Sequence, residues 1–88
     1  MAQLMTYEIP MQAVAAALEM GSYGTDREEI AVRLFAKQLY NNNMIRDENL
    51  LVHAYENADK LVTVKEVGFW PTGKYHITVL DIMMQSFS

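Results

Sequence analysis

The sequence predicts an α+β fold, with a three-helix N-terminal layer followed by an antiparallel β-hairpin. Three observations carry that prediction. Three segments repeat apolar residues at helical spacing, each bounded by capping or breaking residues. Two later segments favour β-structure, and the stretch GFWPTGKYHI (68–77) places a turn signal between them. Glycine and asparagine gather in the breaks, at GSYG (21–24) and NNN (41–43).

Residues 4–9, LMTYEI, form a short strand or an arm ahead of the helices. Pro10 suits the first position of a helix, where its missing N–H costs nothing. In the segment 10–20, Met11, Val14, Ala15 and Leu18 fall on one stripe, and Gly21 ends it. Thr25 with Glu28, or Asp26 with Glu29, has capping-box spacing for a second helix over 26–40. Its apolar face is Ile30, Ala31, Leu34, Phe35 and Leu39, and Glu29–Arg33 has the favourable i,i+4 order. Asp47 then caps a third helix over about 48–58. Leu50, Leu51, Ala54, Tyr55 and Ala58 give it a core stripe, while Glu48, Asn49, Glu56 and Asn57 face away.

The β-hairpin spans 61–83. Between Trp70 and Lys74, residues Pro71, Thr72 and Gly73 suit a type I turn closed by a glycine bulge. Pairing Trp70 with Lys74 puts Phe69 opposite Tyr75 and Val67 opposite Ile77, all four facing the core. Trp70, His76, Glu66 and Thr78 then face solvent, and His76 with Glu66 reads as a polar pair. Nearer the base the same register makes the outer face apolar, with Val62, Val64, Leu80 and Ile82. Such a surface calls for cover by residues 4–9, by a helix or by a second subunit, and it motivates the expectation of a homodimer.

Composition narrows the classes. Eighty-eight residues, 51% of them hydrophobic, suffice for one compact domain over 1–88 and are too few for two ordinary ones. Its helical portion is 10–58. The absence of cysteine excludes a disulfide framework, a thiol nucleophile and thiolate metal sites. The N-terminus lacks the basic region and apolar run of a secretory signal, so the expected location is the cytoplasm. The formal charge of −4 gives no whole-chain attraction to phosphate, and the seven basic residues are scattered.

In order, three helices and then a hairpin resemble the winged-helix arrangement over about residues 10–83. That resemblance implies a third helix in the DNA major groove and a wing against the backbone. The residues oppose it: the candidate reading helix begins DEN and carries Glu56, and the hairpin tip offers Lys74 alone. Catalytic signals are weaker still. His53 and Glu56 are three apart on a helix, but two ligands make no metal site. Nucleophile elbows, phosphate-cradling loops and dinucleotide fingerprints are absent. The expectation is a non-enzyme with no cofactor and no membrane association. Its function is that of a small acidic regulatory module that binds a protein partner, as inhibitor or adaptor of a larger complex. A winged-helix-like DNA-binding regulator is the alternative. The candidate contact residues are Tyr23, Trp70, Val62, Val64, Leu80, Ile82, Glu48 and Glu56. Tyr40 reads as core packing.

Overall fold

The computed structural model describes residues 3–57 and 62–80. The elements run β1 (Leu4–Pro10), α1 (Met11–Met20), α2 (Arg27–Asn41), α3 (Asn49–Glu56), β2 (Val62–Val67) and β3 (Lys74–Leu80). The three strands form one antiparallel sheet in the order β1-β3-β2. The predicted α+β architecture is therefore present, and residues 4–9 contribute a full edge strand. Among the described residues, no helix is long and apolar enough to cross a membrane.

Local chemistry explains the helix ends. Gly21 closes α1, its N–H donating to the carbonyls of Ala17 and Leu18. The Asp26 carboxylate accepts from the N–H groups of Glu28 and Glu29, so it is the α2 cap, and Glu28 and Glu29 complement the helix dipole. Asp47 accepts from the N–H of Asn49 at 2.9 Å and starts α3. Glu29 and Arg33 pair at 3.7 Å along α2, as their spacing predicts.

Helices and sheet bury one continuous core. From α2 come Ile30, Ala31, Val32, Phe35, Ala36 and Leu39; from β3, Tyr75, Ile77 and Val79. Met11 and Val14 join from α1, Leu51 and Val52 from α3, and Ile9 from β1. The alternation of β3 is regular, because one sheet face meets the helices and the other meets solvent. On that outer face Thr6 and Thr78 touch through their hydroxyls, and Glu8 lies opposite His76.

The hairpin register differs from the expected one. Val67 lies opposite Lys74 rather than Ile77, and Glu66 rather than Phe69 lies opposite Tyr75. This shift is an odd number of positions, so it turns every β2 side chain to the other face. Val62 is buried in the core and Val64 is half-buried beside it, opposite Val79 and Ile77 respectively. Leu80 is half-buried, opposite Leu4 of β1, and Ile82 lies outside the described residues. The apolar outer base expected from Val62, Val64, Leu80 and Ile82 thus loses its two valines to the core. Tyr40 is also displaced from expectation, being 46% exposed rather than packed inside.

Candidate functional site

The cause of the altered register is a six-residue connection, Gly68 to Gly73, in place of a three-residue turn. Gly68 adopts φ of 89°, a left-handed backbone that ends β2 at Val67. Gly73 sits against it: a Cβ there would overlap the Val67 carbonyl oxygen and press on Gly68. Only a residue without a side chain fits that contact.

Three donors converge on one carbonyl within the loop. Phe69 C=O accepts from the N–H groups of Thr72 and Gly73, both at 2.8 Å, and from the Thr72 hydroxyl at 3.2 Å. The Trp70–Pro71 peptide bond is cis. The loop is also fastened to the body, because the Gly73 carbonyl accepts from the N–H of Met11 at 3.0 Å. This hydrogen bond joins the tip to the start of α1.

Two aromatic neighbours take opposite roles. Trp70 turns inward, half-buried against the core, with the Arg27 guanidinium 3.8 Å from its ring centre. Phe69 turns outward and is 86% exposed. The sequence-based expectation had Phe69 facing the core and Trp70 facing solvent; the structure reverses both. A bound tip therefore presents a free phenyl ring.

On the far side of the loop, Glu8, Pro10, Val67, Gly68, Thr72, Gly73 and Lys74 line an open depression of about 530 Å³. The Glu8 carboxylate oxygen is shared by Lys74 Nζ at 3.1 Å and His76 Nε2 at 3.2 Å. Lys74 holds the Glu8 carboxyl below its ordinary value, with a smaller contribution from His76. The partner of His76 is thus Glu8, not Glu66, which faces the opposite side of the sheet with Tyr75.

The remaining candidates lie apart from the tip. Tyr23 is half-buried and lines a small cavity of about 20 Å³ with Arg33, Lys37, Glu48, Asn49 and Val52. Glu48 also borders a wider hollow with Tyr40, Arg46, Asp47 and Asn49. Glu56 and His53 are exposed on α3. Among the described residues, no group of three or more His, Cys, Asp or Glu side chains is placed to hold a metal ion. Phe69 and Arg27 were absent from the sequence-based candidates. The only signal for either was the turn chemistry around Pro71, which marks a loop without saying which neighbour points outward. Comparison with protein-family models, with curated proteins and with solved structures finds no match for this chain.

Proposed function

We propose that this chain is a small, non-catalytic protein-binding module, an inhibitor or adaptor of a larger complex, with the β2–β3 tip as its contact element. The observation that carries this reading is Phe69, 86% exposed on a loop fixed by hydrogen bonds and glycine packing. Burying a phenylalanine side chain in a partner is worth about 1.5–3 kcal/mol. A loop already held in one shape loses little further freedom on binding, so more of that gain appears as affinity.

Surface chemistry supports a protein partner over a nucleic-acid duplex. The helices-then-hairpin order favours the DNA-binding alternative. However, Glu48 just ahead of α3 and His53 and Glu56 on it are exposed, and the tip lysine, Lys74, is already paired with Glu8. Phosphate contacts would require free cations at those places. Self-association through the hairpin base is not part of this reading, because Val62 and Val64 face the core.

A photo-crosslinking phenylalanine analogue tests the proposal. Placed at Phe69 in the chain's own cellular extract, it should yield a discrete protein adduct. The same analogue at Met20, which is 77% exposed on α1, should yield none of that species. Absence of a Phe69-specific adduct, together with salt-sensitive binding to a duplex, would favour the DNA reading.

A further inference from the structure

Strand β1 lies at a sheet edge, and among the described residues no strand pairs with its outer side. Its peptide groups can be assigned to sides. The Met11 N–H donates to the Gly73 carbonyl, in line with the register that sets Ile9 opposite Tyr75 and Tyr7 opposite Ile77. Bonded and non-bonded pairs alternate along an antiparallel ladder, so Tyr7 and Ile9 turn their N–H and C=O toward β3. Leu4, Thr6 and Glu8 therefore turn theirs toward the open edge. Pro10 belongs to the same set, where a missing N–H forfeits no bond to β3.

Open edges are ordinarily blunted by charge, proline or a bulge. The opposite edge, β2, carries Lys65 and Glu66. In β1 the one charged residue is Glu8, whose carboxylate is held by Lys74 and His76 of β3, and proline comes only at the last position. Leu4, Met5 and Thr6 are exposed. On the helix side of this edge, Tyr7, Phe35, Leu39 and Met44 help to line a groove of about 150 Å³, with Met44 exposed. Met5 is held on that side too, its sulfur accepting from the Tyr7 hydroxyl at 3.8 Å.

We propose that a second copy of this chain occupies the edge, β1 pairing antiparallel with β1 about a two-fold axis at Thr6, so that one sheet runs through both copies. The strand itself selects this register. Centring on Thr6 sets Leu4 against Glu8 of the second copy and uses every outward N–H of the strand. A shift one way sets Leu4 against Pro10, which has no N–H; a shift the other way leaves Glu8 facing a residue ahead of the strand. The side chains agree with it. Met5 falls opposite Tyr7 of the second copy on the helix side, at the groove, where a flexible thioether packs well against aromatic rings. Groove and filler are therefore supplied by the same strand, and each copy gives what the other receives, as an isologous contact requires. That reciprocity selects a second copy over an unrelated peptide. The dimer carries two Phe69 tips and does not depend on either.

Sedimentation of the intact chain across a concentration series tests this, together with substitutions in β1. The chain should be dimeric at about 100 μM. Thr6→Pro removes an edge N–H and none that bonds β3, so circular dichroism should stay native while the dimer dissociation constant rises at least about tenfold. Because the chain has no cysteine, Thr6→Cys provides a single thiol. It meets its twin across the axis at about 5.5 Å between Cα atoms, within disulfide range, and mild oxidation should give a covalent dimer. Leu4→Cys, more than about 13 Å from its own twin, should give none. Phe69→Ala should leave the dimer intact. A monomer at about 100 μM, or a dimer that tolerates Thr6→Pro and is not bridged by Thr6→Cys, would overturn the proposal. Bridging through Leu4→Cys in place of Thr6→Cys would overturn the register.

Discussion

The Arg27 guanidinium lies 3.8 Å from the centre of the Trp70 ring, joining the first turn of α2 to the β2–β3 tip. The cation covers Trp70, the inward-turned one of two adjacent aromatic residues. Removing it should loosen the hold on that ring. Arg27→Ala should cost about 0.5–1 kcal/mol. Trp70 is the single tryptophan of the chain, so its fluorescence reports the tip directly, and the emission should move to longer wavelength. Unchanged emission would mean that Trp70 is held without Arg27.

Gly73 is the second fastening of the tip. A Cβ at this position meets the Val67 carbonyl and the Gly68 backbone, so Gly73→Ala forces the loop apart. The expected loss is about 1–3 kcal/mol, typical of overpacking. Hydrogen exchange at Met11 should accelerate in the same variant, because its N–H donates to the Gly73 carbonyl. A variant with native stability and native Met11 protection would contradict this packing.

Glu8 supplies a pH dependence with a definite sign. Its carboxyl is held below the ordinary 4.5, chiefly by Lys74 and then by His76. A carboxylate lowered in the folded state adds stability above its ordinary value, and that contribution is lost as pH falls through the lowered value. Carboxyl NMR titration should show the depressed midpoint, and Lys74→Met should return it toward 4.5. Both side chains are about half exposed to solvent, which keeps the stability effect small. A midpoint unmoved by Lys74→Met would exclude the lysine as its cause.

The Tyr75 hydroxyl gives an unusual expectation for a buried side chain. Because that oxygen has no hydrogen-bond partner, Tyr75→Phe removes a desolvated polar group without orphaning another. The isolated chain should be unchanged or more stable, by up to about 1 kcal/mol. Thermal unfolding measures this. A loss of about 1 kcal/mol or more would reveal a hydrogen bond to that oxygen.

Local signals made the helices legible. Asp26 caps α2 where its position ahead of an apolar repeat predicts, and Gly21 ends α1; at α3 the cap position falls to Glu48, one residue after Asp47, whose carboxylate accepts from the Asn49 N–H. The hairpin was legible as a hairpin, but its register was not. Pro71-Thr72-Gly73 has the chemistry of a short turn, whereas the close approach of Gly68 and Gly73 lengthens the connection. Because strand faces alternate, that change sent Val62 and Val64 inward and freed Phe69. The Arg27–Trp70 contact and the Glu8–Lys74–His76 group each join residues distant in sequence. No local pattern of spacing encodes such a juxtaposition.

At the tip, Phe69 points away from the core and Trp70 points into it. Denaturant unfolding of Phe69→Ala beside Trp70→Ala tests that arrangement. The structure predicts that Phe69→Ala changes stability by no more than about 0.5 kcal/mol, as expected for an exposed site. Trp70→Ala should cost about 1–3 kcal/mol, through lost packing against the core and the lost Arg27 contact. A loss of about 3 kcal/mol or more for Phe69→Ala, with Trp70→Ala near neutral, would place the phenyl ring in the core and contradict the account.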